Sequence, residues 1–204
     1  VAKTNKPILM STGMASEDEI SEALDAARSC GARNILLFHC ISSYPAPLEQ
    51  SNLNMIGTLK KKFKVEVGLS DHTLDNMAAT LSISMGAVAI EKHFILDKTL
   101  TGPDSAFSMD PDQLCNLVQD TEKAWKSMGS DDFQRAKVEE ASLAFRRSIY
   151  FVKNLKEGTV ITKDHIKRIR PGYGLKPKFF DKLIGKKVIS DVEIGDPVTW
   201  DIVD

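Results

Sequence analysis

The sequence of 204 residues lacks the features that define several classes of protein. No apolar run is long enough to span a bilayer, which argues against a membrane protein. Lysine and arginine (27) are balanced by aspartate and glutamate (28), so the basic surplus of a nucleic-acid-binding protein is missing. Cys30, Cys40 and Cys115 have no metal-ligand spacing and cannot all pair, which is typical of the reducing cytoplasm. We therefore expect a cytoplasmic globular protein, and Val1 in place of methionine suggests that an N-terminal part is missing.

The first hundred residues repeat a pattern of strand followed by helix. Ser16 and Glu19 form the capping-box signature of a helix whose apolar face carries Ile20, Leu24 and Ala27. Four short apolar runs with β character predict strands at residues 6–12, 34–40, 65–71 and 88–94. Because each run is followed by a helical pattern, the alternation predicts βαβ units around a parallel sheet.

The rest of the chain divides into three parts. A third helix is predicted to carry Leu74, Met77, Ala78 and Leu81, and a fourth to begin near Asp110 and end at Gly129. Residues 1–129 therefore contain four strand–helix units, which is half of an eight-stranded barrel. Residues 130–145 are predicted to be a charged, helical connector. Residues 146–204 are short apolar runs separated by glycine and proline, which predict a small β-rich domain.

Two histidines follow neighbouring strands of the predicted sheet. His72 lies in the segment SDHT after the third strand, and His93 lies in EKHF at the end of the fourth. Neighbouring parallel strands are about 5 Å apart, and the carboxyl ends of barrel strands carry the active site. Two imidazoles at equivalent levels are typical of a catalytic divalent metal with open coordination positions. The alternative is that each histidine is a buried, hydrogen-bonded packing residue.

Two carboxylates are candidates to act beside these histidines. Glu91 precedes His93 by two residues and therefore points to the same face of its strand, where it is suited to bind a substrate hydroxyl or to transfer a proton. It is also suited to holding a metal ligand in place. Asp104 lies in the segment TGPD on the loop after the last strand, where an aspartate is more often a turn former.

Several hydroxyl groups and one arginine are candidates for binding substrate oxygens. The hydroxyl residues at the strand ends are Ser11, Thr12, Ser42, Tyr44 and Ser70. Such groups suit phosphate oxygens, although at loop starts they more often cap helices. Arg170 lies on the Gly/Pro loop RPGYG, where a guanidinium is suited to a carboxylate or an amide oxygen. The alternative for Arg170 is a surface charge without a specific partner.

The order of these motifs resembles one known family. KPILMSTGMAS, LLFHCISSYPAP, VGLSDHT, AIEKHF and GPDSAFS are similar to barrel segments of the N-acetylneuraminate (sialic acid) synthase family. RRSIYFVKNLKEG, IKRIRPGYGLKPK and LIGKKVISDVEIGDPVTW are similar to that family's C-terminal SAF (antifreeze-like) domain. The resemblance covers nearly the whole chain. It implies that residues 1–129 are strands five to eight of a (β/α)8 TIM barrel and that residues 146–204 are a SAF domain.

The resemblance implies a metal site and a sugar site. His72 and His93 match the two protein ligands of the family's catalytic divalent metal, which is manganese. Glu91 and Asp104 match residues that bind and orient the acceptor sugar near that metal.

The resemblance also implies contacts with phosphate and with a second subunit. Ser70 and Ser42 fall where the family contacts phosphoenolpyruvate, although many members have asparagine at the position of Ser42. Arg170 matches the SAF-domain arginine that reaches into the partner's active site in a domain-swapped homodimer. There it recognises the N-acyl group of the sugar.

The implied activity is a condensation. The enol carbon of phosphoenolpyruvate attacks the aldehyde of an N-acylated amino sugar, with the metal as Lewis acid. Water then adds at C2, and loss of phosphate gives a nine-carbon 2-keto acid. The segments GPDSAFS and RPGYGLKPKF are most similar to members that make pseudaminic acid; N-acetylneuraminate or legionaminate synthesis is the alternative. An alternative of another class is a non-catalytic carbohydrate-binding SAF protein, which leaves SDHT and EKHF unexplained.

The main departure from the family is the missing first half of the barrel. In the family that half carries a catalytic glutamate and phosphate-binding lysines, and no segment of this sequence matches it. We therefore expect an open, four-stranded parallel sheet with His72 and His93 on its rim. Its edge strands, at residues 6–12 and 88–94, should expose apolar side chains. We also expect residues 1–204 alone to be inactive.

Overall fold

A computed structural model describes all residues from 1 to 204. The chain forms two compact units, residues 1–130 and residues 131–204, and each is described by itself. None of its helices combines the length and the apolar character needed to cross a bilayer.

The first unit is built on a four-stranded, wholly parallel sheet. Its strands are β1 (Ile8–Ser11), β2 (Ile35–Cys40), β3 (Glu66–Ser70) and β4 (Ile90–Glu91), and they pair in the order β1-β2-β3-β4. Cys40 lies opposite Ser70, which lies opposite Glu91, so the carboxyl ends of these strands meet at one edge. This confirms the predicted α/β fold, in which sequential parallel strands are neighbours as in a barrel.

Four helices follow the strands. They are α1 (Glu17–Ser29), α2 (Asn54–Phe63), α3 (Met77–Ser84) and α4 (Pro111–Ser127). The predicted capping box of α1 is present: the Glu19 backbone N–H donates to the Ser16 hydroxyl, and the Ser16 N–H donates to the Glu19 carboxylate. That second hydrogen bond holds the pKa of Glu19 below its ordinary value, because it stabilises the charged form. An equivalent box of Asp110 and Gln113 begins α4.

The core of this unit lies between the sheet and the first two helices. Its fully buried side chains include Leu24 of α1, Leu37 of β2, Ile56 of α2 and Val67 of β3. Burying each such side chain contributes about 1.5–3 kcal/mol, so this layer fixes the helices against the sheet.

Strand β4 is shorter than the predicted strand at residues 88–94. The Val88 N–H donates to Val67, and the Asp71 N–H donates to Glu91, so β4 is held by β3. Beyond Glu91 the hydrogen-bond partner changes: Met109 donates to the His93 carbonyl and accepts from the Ile95 N–H. The segment stays extended, but it leaves the sheet because a loop residue replaces β3 as its partner.

The predicted apolar face of α3 was right at Ala78 and wrong at its three larger residues. Leu74 precedes the helix, and Leu74, Met77 and Leu81 are all exposed. The buried residues are Ala78, Ala79 and Ser82, because small side chains allow α3 to approach α4 and the sheet closely.

Both edge strands expose apolar side chains, as predicted. Leu9 in β1 is 62% exposed, and Val88, just before β4, is 54% exposed. Since β1 and β4 each pair on one side only, the outer side of each carries unpaired backbone groups.

The second unit has little regular structure. The segment predicted to be a helical connector forms two short 3₁₀ turns, Lys137–Glu139 and Ala141–Phe145, and nearly all its side chains are exposed. A helix that buries no apolar face receives no support from packing, which explains the absence of a longer α-helix.

Strands β5 (Ser148–Phe151) and β6 (Ile166–Ile169) are antiparallel, and a short helix, α5 (Phe180–Leu183), follows.

Isolated bridges and a compact core hold this unit together. Isolated pairs join Tyr150 to Pro197, Leu155 to Val192, Val160 to Lys187, and Val188 to Val203. The core is formed by Ile149, Phe151, Leu155, Ile161, Ile166, Phe180, Leu183, Val188, Val192, Val198 and Val203. The unit is therefore a small, β-rich domain with its own core.

Gly68 provides a test of the tight packing between β2, β3 and β4. A Cβ atom at Gly68 would lie 2.6 Å from Phe38 Cε1 and 2.7 Å from the Ala89 carbonyl oxygen. We expect Gly68→Ala to lower the free energy of unfolding by about 1–3 kcal/mol, measured by urea unfolding with circular dichroism. The matched control is Gly57→Ala on α2, where a Cβ meets nothing within 4 Å. It should stabilise by up to about 1 kcal/mol, and equal effects at the two sites would contradict this description.

Candidate active site

The ends of β3 and β4 bring two predicted site residues together. Because Ser70 pairs with Glu91, His72 and His93 each follow two residues beyond that pair. Their ring centroids are 5.2 Å apart, with an angle of 58° between the ring planes. The two imidazoles therefore lie side by side at the carboxyl edge of the sheet.

Hydrogen bonding selects which nitrogen of His72 is free. Its Nδ1 atom lies 2.8 Å from the carbonyl oxygen of Ile41. A carbonyl oxygen can only accept, so Nδ1 carries a proton, and in the neutral form of the ring the lone pair is on Nε2. In His93 the Nδ1 atom likewise faces an acceptor, the Oδ2 atom of Asp104, at 3.4 Å. The His72 ring is thus oriented by a hydrogen bond at Nδ1, and the His93 ring has a carboxylate oxygen beside its Nδ1 atom.

This arrangement fits a divalent metal. Histidine ligands of metals commonly donate their other ring N–H to a carbonyl or carboxylate. His72 makes this hydrogen bond with Ile41, and the Asp104 carboxylate lies beside Nδ1 of His93. The chain contains no group of three or more histidine, cysteine, aspartate or glutamate side chains that could hold an ion. A metal at this place would therefore depend on the two imidazoles for its protein nitrogen ligands.

Glu91 and Ser70 also lie together at this edge. The Ser70 hydroxyl donates to Oε1 of Glu91 at 2.8 Å. Ser70 is buried, whereas Glu91 is exposed, so the hydrogen bond fixes one carboxylate oxygen and leaves the other accessible. The carboxylate is placed to accept a hydrogen bond from a bound hydroxyl group.

Aromatic rings surround the two histidines. The Tyr44 ring lies 4.2 Å from His72 and 5.7 Å from His93, centroid to centroid. The Phe107 ring lies 4.9 Å from His93 and 5.4 Å from Tyr44. Tyr44 is among the residues predicted from the sequence and Phe107 is not, although Phe107 lies in the same GPDSAFS segment as Asp104. The rings form an apolar wall beside the imidazoles.

The remaining hydroxyl candidates lie at the ends of β1 and β2. The Thr12 hydroxyl is buried and donates to the Phe38 carbonyl oxygen at 2.9 Å, so its proton is already used within the fold. Ser11 and Ser42 are exposed, and the Ser42 Oγ atom lies 3.9 Å from Cys40 Sγ. No hydrogen bond joins these three residues to His72 or His93.

A buried ion pair beside the histidines was missed by sequence analysis. Lys92 Nζ lies 3.0 Å from Asp71 Oδ2, and the two side chains are only 4% and 2% exposed. The ammonium also donates to the carbonyl oxygens of Thr73 at 2.6 Å and Asp75 at 3.1 Å. The other Asp71 oxygen, Oδ1, accepts from the Thr73 N–H. The only sequence signal was the placement of a charged residue directly before each histidine.

Arg170 lies in the second unit and is free of internal partners. It is exposed and makes no hydrogen bond or ion pair within the chain. By contrast, the guanidinium of Arg168 lies 3.8 Å from the centre of the Phe180 ring and is therefore engaged locally. The loop after Arg170 is fixed by Ser148, whose hydroxyl donates to the Pro171 carbonyl and accepts from the Gly174 N–H.

The fold and the site together define the class of protein. A parallel sheet with imidazoles and a carboxylate at the carboxyl ends of its strands belongs to the α/β proteins whose active sites lie at that edge. Residues 1–133 match the model of the NeuB family, and residues 146–203 match the model of the SAF domain. The chain therefore belongs to the NeuB family.

Relatives and a solved structure agree with this assignment. An uncharacterized protein of Methanocaldococcus jannaschii is 42% identical over 98% of this chain and 60% of its own length. Pseudaminic acid synthase of Campylobacter jejuni is 37% identical over 96% of this chain and 57% of its own length. N,N'-diacetyllegionaminic acid synthase of Legionella pneumophila is 35% identical over 100% of this chain and 58% of its own length. The chain thus spans about 57–60% of the length of these relatives.

The solved structure is that of N-acetylneuraminic acid (sialic acid) synthetase from Leptospira borgpetersenii in complex with citrate. It matches with a TM-score of 0.64 at 34% identity, over 70% of this chain and 50% of that chain. This supports the assignment of the fold to the sialic-acid-synthase type.

The buried ion pair gives a test of the site's architecture. Lys92→Met should lower the free energy of unfolding by about 3–5 kcal/mol, because it leaves the Asp71 carboxylate buried without a counter-charge. The matched control is Lys60→Met, which breaks the exposed Lys60–Glu66 pair at the opposite end of β3 and should cost at most about 1 kcal/mol. Urea unfolding compares the two, and equally small losses would contradict the burial of the pair.

Proposed function

We propose that this chain provides the metal-binding side of a sialic-acid-type synthase, which condenses phosphoenolpyruvate with an N-acylated amino sugar. The observation that carries the proposal is the pair of imidazoles with both Nδ1 atoms facing oxygen acceptors. Membership of the NeuB family and the names of the relatives support the same reaction.

The proposed metal ligands are the Nε2 atoms of His72 and His93, and the proposed ion is Mn²⁺. A bound divalent ion would act as a Lewis acid toward the carbonyl oxygen of the sugar. The chain's own part is to orient the two imidazoles through acceptors at Nδ1. The Ile41 carbonyl does this for His72, and the Asp104 carboxylate faces His93 in the same way.

Glu91 and Asp104 are proposed to bind and orient the sugar. The Glu91 carboxylate is held by Ser70 at one oxygen and is accessible at the other, so it can accept from a sugar hydroxyl. Asp104 is exposed next to His93, which leaves it able to contact a sugar and the imidazole together. Tyr44 and Phe107 offer an apolar surface against which a sugar ring or chain carbon can pack.

Phosphoenolpyruvate is proposed to lie nearer to β1 and β2. Ser42 and Ser11 have exposed hydroxyl groups at the ends of these strands, and Ser70 ends the neighbouring strand β3. Thr12 is more suited to fixing the backbone, since its proton is donated to Phe38. We expect the cationic part of the phosphate site to come from outside these strands.

Pseudaminic acid is the proposed product. The relative that makes pseudaminic acid is 37% identical, and the one that makes diacetyllegionaminic acid is 35% identical, so identity alone favours neither. The preference rests on the GPDSAFS and RPGYGLKPKF segments. Each acceptor sugar, including that of N-acetylneuraminate, can be compared by measuring phosphate release from phosphoenolpyruvate.

Arg170 is proposed to recognise the N-acyl group of the sugar across a domain-swapped homodimer. Its lack of any partner within the chain leaves the guanidinium available for an oxygen of another molecule. The three free cysteines fit the cytoplasm as the compartment of this enzyme.

The metal assignment is tested by His93→Ala in the full-length protein. The variant should lose both Mn²⁺ binding, followed by electron paramagnetic resonance of the free ion, and phosphate release from phosphoenolpyruvate. His165→Ala, in the second unit, is the matched control and should retain both. Wild-type metal binding in the His93 variant would overturn the assignment. Undiminished sugar binding by a protein without synthase activity would instead favour a carbohydrate-binding SAF protein.

The sugar assignment is tested by Arg170→Ala. A charged hydrogen bond contributes about 1.5–3 kcal/mol, so the KM for the sugar should rise about tenfold to a hundredfold while the KM for phosphoenolpyruvate changes little. Lys167→Ala, an exposed cation on β6, is the matched control and should change neither. An equal rise in both KM values would contradict a role in sugar recognition.

A further inference from the structure

We propose that Asp71 and Lys92 are positioning residues that set the affinity of the site for its divalent metal. The inference rests on the proposed function, because it concerns how the two imidazoles are held for a shared ion. Asp71 directly precedes His72, and Lys92 directly precedes His93. The ion pair therefore joins the two segments that carry the proposed ligands.

The geometry around Lys92 is that of a three-point clamp. Its ammonium group has three protons, and three acceptors surround it: Asp71 Oδ2 at 3.0 Å, the Thr73 carbonyl at 2.6 Å and the Asp75 carbonyl at 3.1 Å. All three acceptors belong to residues 71–75, the segment that contains His72. A single side chain from the His93 segment thus fixes the course of the whole His72 segment.

The arrangement leaves Lys92 no chemical role of its own. All three protons of the ammonium are donated to acceptors, and only 4% of the side chain is exposed. The ammonium therefore has neither a free proton nor access to substrate. Asp71 is equally committed, because Oδ2 accepts from Lys92 and Oδ1 accepts from the Thr73 N–H. The Asp71–Lys92 pair therefore acts only by holding residues 71–75, and with them His72, in place.

Stability alone does not account for a buried ion pair at this place. Replacing such a pair with well-packed apolar side chains is often neutral or stabilising, because desolvation of two charges offsets their attraction. An apolar pair would not fix the Thr73 and Asp75 carbonyl groups. What the ammonium adds is a defined path for the chain around His72, relative to His93.

A site with two protein ligands is sensitive to their relative placement. One backbone hydrogen bond, from the Asp71 N–H to the Glu91 carbonyl, also joins the two segments just before the histidines. Beyond that bond β3 has ended, and the Lys92 contacts are the connection between residues 71–75 and β4. Without them the two rings can separate, and a shared ion would lose one ligand.

The test is a double variant, Asp71→Asn with Lys92→Met, in the full-length protein. It removes both charges together, and the introduced amide oxygen can still accept from the Thr73 N–H, so the unfolding midpoint should stay near that of the wild type. The Kd for Mn²⁺ alone, from titration by electron paramagnetic resonance, should rise about 10- to 100-fold. The matched control removes the exposed pair that joins α2 to the start of β3, Lys60→Met with Glu66→Gln, and should leave that Kd unchanged.

Lys92→Arg keeps the charge and provides a second test if the double variant does not fold. A planar guanidinium cannot reproduce the three-point contact, so the Kd for Mn²⁺ should rise more than in the control. If either variant is folded and binds Mn²⁺ within twofold of the wild type, the positioning role is overturned while the proposed function stands. If the wild type binds no Mn²⁺, or if binding survives His72→Ala combined with His93→Ala, the proposed function falls and the inference with it.

Discussion

The site depends on one buried electrostatic interaction, between the Asp71 carboxylate and the Lys92 ammonium. Both groups are almost fully removed from water. The Lys92 ammonium donates to three acceptors in residues 71–75, and each oxygen of the Asp71 carboxylate accepts one hydrogen bond. Because removing one partner would leave a buried charge unpaired, the segments after β3 and β4 are held together. The placement of His72 beside His93 follows from that constraint together with the parallel register of the two strands.

Around this interaction, some groups of the site come from the ends of the strands and others come from the loops. The strand ends supply groups whose positions are fixed by pairing, such as Ser70 and Glu91. The loops supply rings and acceptors that close around the imidazoles, namely Tyr44, Phe107 and the Ile41 carbonyl. In the second unit, Arg170 is exposed, in contrast to the buried Asp71 and Lys92. It lies on a loop fixed by Ser148, so its guanidinium is available to a molecule outside the unit.

Local sequence signals predicted the strands, the first helix and the histidine pair, because each of these depends on residues that are close together in the sequence. The Ser16–Glu19 capping box and the period of the apolar strands needed no knowledge of distant residues. The Asp71–Lys92 pair could not be predicted in this way, since a lysine directly after a strand is usually solvated. The apolar face of α3 was right only at Ala78, because the close approach of α3 to the sheet and to α4 buries small side chains, Ala78 on the sheet side and Ala79 on the α4 side. The roles of Glu91, Asp104 and Arg170 came from the family resemblance and stay predictions.

The central claim is that His72 and His93 share one divalent ion at the ends of β3 and β4. The most direct measurement is a crystal structure of the full-length protein grown with Mn²⁺, with anomalous diffraction recorded near the manganese absorption edge. The account predicts one strong anomalous peak within coordination distance of both Nε2 atoms, with the Nδ1 atom of His72 still donating to the Ile41 carbonyl. A manganese-loaded crystal with no peak between the two imidazoles, or with its peak at other residues, would contradict it.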